Sequence, residues 1–238
     1  MELVVCPDEA TLARRAADHF LDRVRAQPDL NMAVPAGRTP REMYGLIEEE
    51  HRRRPVDFSR MRVFCVDELC PPAPLDGYFW RQVRKEFLAW AGVPPARLHP
   101  FRVDRPDLEA MCQEYEEAIA EVGGLDLILL GLGPNGHIAS NEPGSPLDSR
   151  CRPVRLLAAT VEYILTDPVL QGAVSDRAVT LGITTILEAR EVVVLVSGPR
   201  KRAPLSAMLG GPVTADLPAS VLRRHPRCVV LADRAAAG

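Results

Sequence analysis

The run L-D-L-I-L-L-G-L-G-P-N-G-H-I-A-S-N-E-P-G-S-P-L-D-S-R, residues 125 to 150, decides how this chain is read. Leu125 to Leu132 is a continuous apolar run of strand length, the pattern of a strand buried on both faces of a sheet. It empties into a glycine-rich loop that carries Asn135, His137, Asn141 and Glu142. Titratable side chains delivered by a buried strand to the edge of a sheet are where chemistry is expected.

Upstream of this run, strand and helix patterns alternate. Glu2 to Cys6 reads as a strand, and Asp8 to Ala26 as a helix with Leu12, Ala16, Phe20 and Val24 on one stripe. Asn31 to Val34 reads as a second strand and leads into P-A-G-R-T-P, residues 35 to 40, after which Met43, Leu46 and Ile47 recur at helical spacing. Thr39 followed by Pro40 fits N-cap and first-turn positions. Gly37, Arg38 and Thr39 then sit at a helix N-terminus, where free backbone N–H groups and the dipole favour an anion such as a phosphate. An ordinary capped turn carries the same pattern.

Met61 to Val66 reads as a third strand and ends in Asp67 and Glu68, two acids at the edge where an open α/β sheet presents ligand sites. Adjacent carboxylates are costly there unless used; the alternative is a turn-capping Asp67 with Glu68 paired to an arginine. Tyr78 to Ala91 reads as a helix whose Phe79, Val83, Phe87 and Trp90 form a packing stripe. Arg97 to Phe101 is read as a short strand and Leu108 to Val122 as an amphipathic helix with Met111, Tyr115 and Ile119 facing in.

Downstream, Arg152 to Leu157 reads as a strand and residues 160 to 172 as a helical or mobile connection, a candidate lid. Ala178 to Leu181 and Glu191 to Val196 are β-branched runs separated by a helical stretch, which predicts a further βαβ unit. The helix beginning at Ser197-Gly198-Pro199 carries Arg200, Lys201 and Arg202 in its first turn, unfavourable with the macrodipole unless an anion lies nearby. Three solvated surface cations are the other reading. Pro218 to Arg224 reads as a short helix, Cys228 to Ala232 as a last strand, and Ala235 to Gly238 as a frayed end. The alternation predicts one Rossmann-like α/β domain over residues 1 to 238, with a mostly parallel sheet flanked by helices on both faces.

Composition narrows the function classes. The net charge of −3, with acids and bases interspersed, suggests neither a nucleic-acid footprint nor a polybasic membrane patch. Cys6, Cys65, Cys70, Cys112, Cys151 and Cys228 include no C-x-x-C pair and no histidine at ligand spacing, arguing against a metal site and for reduced thiols. With no signal-peptide pattern and no long apolar span, a soluble cytoplasmic protein is expected. G-L-G-P-N-G is a partial match to a dinucleotide fingerprint, but no acid stands about 20 residues on at a strand end, so nicotinamide binding is rejected. A histidine oriented by a carboxylate or amide, an acid pair and two anion-binding turns suit proton transfer on a phosphorylated small molecule.

The block G-L-G-P-N-G-H-I-A-S-N-E-P-G-S-P-L-D-S-R closely resembles the signature of glucosamine-6-phosphate deaminases, which share a sugar-phosphate superfamily with 6-phosphogluconolactonases. P-A-G-R-T-P, V-D-E, A-V-T-L-G-I-T-T-I-L-E-A and L-V-S-G-P-R-K extend the resemblance over nearly the whole chain. It implies that Asp67 is the enolisation base between C2 and C1, that His137 is the ring-opening acid/base, and that Glu142 holds and polarises His137 with Asn135 beside it. Gly37, Arg38, Thr39, Glu68 and Lys201 are the implied substrate-binding positions. The implied reaction turns an amino-hexose 6-phosphate into fructose 6-phosphate and ammonia, without metal or organic cofactor, in a monomer or homo-oligomer.

Departures from the family pattern are specific. Deaminases of this kind usually carry a lid arginine that reaches the substrate phosphate, and Glu162 to Thr166 contains none. Arg38, Arg200 and Arg202 are the candidates to replace it. D-E-L-C-P-P followed by L-D-G-Y resembles a lactonase pattern, with Leu69 where that pattern has arginine, whereas lactonases lack the N-E-P-G-S block. Lactone hydrolysis and non-catalytic sugar-phosphate sensing are the competing functions. Arg152 stands where the family has one of two allosteric basic residues and Val154 where it has the other, so a small unregulated form is expected.

Overall fold

The computed structural model describes residues 1–71, 74, 76–167 and 175–238. Its elements are β1 (Glu2–Cys6), α1 (Glu9–Ala26), β2 (Asn31–Val34), α2 (Arg38–Arg53), β3 (Arg62–Cys65), β4 (Asp67–Leu69), α3 (Phe79–Val83), a π-helical turn (Arg84–Leu88) running on into α4 (Ala89–Ala91), and β5 (Leu98–His99). There follow α5 (Leu108–Glu121), β6 (Leu127–Gly131), β7 (Arg152–Arg155), α6 (Ala158–Leu165), β8 (Arg177–Thr180), α7 (Ile183–Leu187), β9 (Val192–Val196), α8 (Arg202–Gly210), β10 (Cys228–Asp233) and α9 (Arg234–Ala237). Among the described residues no helix is long and apolar enough to cross a membrane.

Seven strands form one sheet in the order β1-β10-β9-β6-β2-β3-β5, every pairing parallel. Successive residues of β2 and β9 are all buried, so both faces of the sheet centre are covered, and a near-continuous apolar run is what such a position demands. The direction of chain travel reverses between β2 and β6. The carboxyl ends of these two strands therefore diverge into loops on either side of a crevice, the usual position of a ligand site in an open α/β sheet.

The helix stripes pack as their spacing requires. Leu12, Ala16, Phe20 and Val24 of α1 and Met43 and Ile47 of α2 are buried. Phe20 meets Phe87 edge-on at 5.5 Å and Tyr44 stacks on the same ring at 5.5 Å, which fixes the helix after residue 78 against α1 and α2.

Several expectations are corrected. Ala178 to Leu181 and Glu191 to Val196 do not form a βαβ unit: β8 belongs to a separate three-stranded antiparallel sheet, β4-β8-β7, while β9 lies in the parallel sheet. β4 starts one residue after Val66 and carries the chain off the large sheet. Thr39 is not an N-cap, because α2 begins at Arg38 with Gly37 in the cap position and no side-chain cap hydrogen bond. Of the candidate lid at 160 to 172, residues 160 to 167 are described, and 168 to 172 lie outside the described residues.

The carboxyl terminus is not frayed. Asp233 is 4% exposed and accepts hydrogen bonds from Ala236 N at 2.7 Å, Ser197 Oγ at 2.8 Å and Gly198 N at 3.0 Å. One carboxylate thus caps α9 and fixes the turn after β9 that leads to Lys201. Replacing it leaves three donors without their acceptor. Asp233→Ala is expected to lower stability by about 2 to 4 kcal/mol, read as a reduced urea midpoint with an unchanged slope.

Candidate active site

The crevice at the β2/β6 reversal is lined by the loops after β2, β3, β6 and β9 and by α6. Gly37, Arg38, Thr39, Asp67, His137 and Lys201 all face it, so six of the nine residues singled out from the sequence meet in one cleft.

His137 is held by a relay encoded within eight residues. Its Nδ1 lies 2.8 Å from Asn135 Oδ1, and Asn135 Nδ2 donates to Glu142 Oε2 at 2.7 Å. With the amide nitrogen committed to a carboxylate, Asn135 turns its oxygen to the imidazole, so Nδ1 donates and Nε2 is left to take or give a proton. Burial alone would raise Glu142, but the His137 imidazole, whose Nδ1 lies 3.7 Å away, and hydrogen bonds from Thr160 and Asn135 more than offset it and hold the carboxyl down at about 2. Leu157 N donates to the other oxygen, Oε1, at 3.2 Å. Asn135 and Glu142 do not line the cleft; they orient the residue that does.

The glycine spacing of the loop has a physical reason. A Cβ built on Gly133 would lie 2.4 Å from His137 Nδ1 and Cε1, so the imidazole packs where only a glycine leaves room. Ala139, two residues past the histidine, takes a left-handed backbone with φ 48°, which tightens the turn that carries His137 and Ser140.

Asp67 opens onto the same cleft from the start of β4. Loss of solvent pushes its carboxyl up to about 6, against the opposing pull of a Ser140 hydrogen bond and of His137. Ser140 Oγ donates to Asp67 Oδ2 at 2.7 Å.

Glu68 is the correction among the candidate site residues. Successive strand residues point to opposite faces, so Glu68 turns away from the cleft that Asp67 faces, and it is fully buried. Its Oε1 accepts from Leu69 N, Tyr78 N and Phe79 N at 2.8, 2.8 and 2.9 Å, and its Oε2 from Trp80 N at 2.8 Å. Three of those amides, at Tyr78, Phe79 and Trp80, open α3, so this carboxylate is a helix anchor turned away from the cleft. Gly77 belongs to the same arrangement: a Cβ there would meet Glu68 Oε2 at 2.1 Å. Phe79, read as core, also forms part of the cleft wall.

Cations gather under α6. Lys201 is 8% exposed, and burial, with Arg38 and Arg200 nearby, lowers its ammonium to about 8. Its Nζ lies 4.6 Å from the centroid of the Tyr163 ring, and the Arg38 guanidinium lies 5.3 Å from the same ring. Arg38 also donates to Thr166 Oγ1 and lies 3.8 Å from Asp167, which Arg41 holds at 3.0 Å. Arg200 and Arg202 stay at the surface, leaving Arg38 as the arginine in the cleft. Ser140, Tyr163, Arg41 and Asp167 were not singled out from the sequence. Ser140 stood in plain view three residues after His137, whereas nothing local marked the other three. Arg152 donates to Asn141 Oδ1 at 2.9 Å and braces the loop that holds His137.

The family model described as "Glucosamine-6-phosphate isomerases/6-phosphogluconolactonase" matches residues 7–230. The chain belongs to this glucosamine-6-phosphate isomerase/6-phosphogluconolactonase family. It is 36% identical to a glucosamine-6-phosphate deaminase of Arthrobacter sp. (strain FB24), over 100% of this chain and 92% of the relative. A solved structure of a monomeric glucosamine-6-phosphate deaminase superposes with a TM-score of 0.93 at 30% identity, covering 100% of this chain and 99% of that one. A 6-phosphogluconolactonase of Trypanosoma brucei shares the fold, with a TM-score of 0.79 at 22% identity over 99% and 97% of the two chains. Within the family, the seven-stranded parallel sheet and the position of the cleft follow from the strand order above.

If Glu68 anchors α3, Glu68→Ala strips four backbone donors of their acceptor. The expected outcome is a loss of about 3 to 5 kcal/mol in urea unfolding. A raised KM with unchanged stability would instead assign Glu68 to the substrate.

Proposed function

We propose that this chain is an amino-sugar phosphate deaminase that converts glucosamine 6-phosphate, or a close amino-hexose 6-phosphate, and water into fructose 6-phosphate and ammonia. One observation carries this reading: a desolvated carboxylate, Asp67, and a relay-held histidine, His137, share a cleft with a helix N-terminus and two cations. Sugar isomerisation needs those parts, and the deaminases among the relatives support the amino substrate.

Proton transfers account for each step. His137 Nε2 returns a proton to the ring oxygen as the hemiacetal opens, and Glu142, through Asn135, stabilises the imidazolium that forms in the cycle. Asp67 takes the C2 proton of the open chain and delivers it to C1, while a proton from the substrate amine passes to O1, so that the carbonyl becomes the C1 hydroxyl and the double bond is left as an imine at C2. Water adds to that carbon, the C–N bond breaks, and ammonia departs. A base pushed up to about 6 is still mostly ionised at neutral pH and is stronger than an ordinary carboxylate. The first-turn N–H groups of α2 at Gly37 to Thr39, the Lys201 ammonium and Arg38 suit the phosphate. Arg38 then takes the part of the lid arginine that Glu162 to Thr166 lack.

Purified protein given glucosamine 6-phosphate is expected to release ammonia, measured by a coupled glutamate dehydrogenase assay; silence across a panel of amino-hexose 6-phosphates rejects the reading. Asp67→Asn is expected to cut turnover by about a thousandfold, whereas a lactonase using His137 to activate water would keep much of its hydrolysis.

The pH dependence has a definite sign. Asp67 works deprotonated and its carboxyl is raised, so kcat/KM should fall as pH drops through about 6, well above the ordinary carboxylate range. An acid limb near pH 4 in the rate profile would contradict the desolvated base.

A further inference from the structure

Proton transfer at C2 demands that one oxygen of the Asp67 carboxylate be aimed at the substrate carbon while the other is restrained. A carboxylate at the mouth of a strand rotates about its Cβ–Cγ bond, and nothing in β4 itself fixes that rotation. The restraint comes from a different segment. Ser140 lies on the turn after His137, is 6% exposed, and points its hydroxyl at Asp67 Oδ2 across 2.7 Å.

The serine is itself held in place on two sides. Its backbone N donates to Thr180 Oγ1 at 3.1 Å, and Thr180 is the residue that pairs with Asp67 across β4 and β8. The next residue, Asn141, donates to Leu181 O at 2.8 Å and to Ile138 O at 3.1 Å. The small antiparallel sheet therefore sets base and serine at a fixed separation, and the left-handed Ala139 between His137 and Ser140 lets one short turn supply both the imidazole and the hydroxyl.

We propose that Ser140 is a positioning residue for the C2–C1 proton transfer, its hydroxyl clamping Asp67 through Oδ2 so that Oδ1 is the oxygen presented to the sugar. This rests on the deaminase reading above. The hydroxyl is neutral and a donor, so it steadies the ionised carboxylate without adding a charge next to a substrate amine. No atom of Ser140 bonds to the substrate, and the proton moves only between C2, Asp67 and C1.

The same contact bears on when Asp67 is ionised. The other groups that face it are His137 from the loop after β6 and Cys65 from β3, whose thiol donates to the Asp67 backbone carbonyl at 3.0 Å. Arg38, Tyr163 and Lys201 look onto the same cleft, while the adjacent Glu68 is turned into the amides of α3. Burial raises the carboxyl and the Ser140 hydrogen bond is the leading opposing influence. Without the hydroxyl, protonation should reach higher pH and the base should be lost earlier on acidification.

The test compares wild type, Ser140→Ala and Ser140→Thr in steady-state ammonia release from glucosamine 6-phosphate across pH. Ser140→Ala is expected to lower kcat about tenfold with KM within about twofold, and to move the acid limb upward by about half a pH unit or more. Ser140→Thr, which keeps the hydroxyl, should return the limb toward wild type. A Ser140→Ala enzyme whose kcat and acid limb both match wild type overturns the proposal, as does a loss confined to KM. Should Ser140→Ala not fold, Ser140→Cys takes its place as a weaker donor of similar size: a smaller shift in the same direction supports the proposal, and none overturns it. A wild-type protein that releases no ammonia fails the deaminase reading instead, which separates the two failures.

Discussion

The carboxylate of Glu68, enclosed by four backbone amides, is the constraint on which the site depends. It ties the amides of Tyr78, Phe79 and Trp80 at the start of α3 to β4, at the edge of the small sheet. Because β4 alternates its side chains, anchoring Glu68 on one face commits Asp67 to the other. Burial raises both carboxyls, but the two adjacent acids face different partners: Glu68 accepts from four backbone amides, whereas Asp67 is left in a poorly solvated cleft with one hydroxyl donor, Ser140.

The cleft is built by meeting two sheets of different kind. The parallel sheet contributes strand ends, glycine turns and the helix N-terminus of α2, which suit an anion. The antiparallel sheet contributes Asp67 and, through Thr180, the seat of Ser140. His137 also comes from the parallel sheet, on the loop after β6, so both sheets place titratable side chains on the one crevice. Tyr163 completes the cationic side by placing an aromatic face against both Arg38 and Lys201, two like charges whose proximity, with burial, lowers the Lys201 ammonium.

Much of this was legible in the sequence because it is local. The strands of the large sheet announce themselves as short apolar runs, the helices as stripes, and the His137 relay spans only Asn135 to Glu142. Asp67 was legible as a cleft residue because it follows a strand. What was not legible depends on pairings distant in sequence. The antiparallel sheet rests on strands of three and four residues, with Asp67 opposite Thr180, too short for a period to declare itself. The role of Glu68 needed the knowledge that the chain resumes as a strand, β4, directly after Val66. Thr39 followed by proline carried the signature of a cap, but α2 gains two more residues at its start and Gly37 takes that place. Asp233 acts on Ser197 and Gly198 some 35 residues away, so the short alanine-rich end carried no local hint of being docked.

Gly133 shows why a motif and its meaning come apart. In a nucleotide-binding loop the bare glycine exists so that a pyrophosphate can approach the backbone; here the vacant volume is already filled by an imidazole from the same turn. Similar lettering thus answers two different steric demands, and glycine spacing alone does not separate them. What tells them apart is the tenant above the glycine. Since that tenant is the His137 imidazole, a pyrophosphate could approach this stretch of backbone only by displacing it.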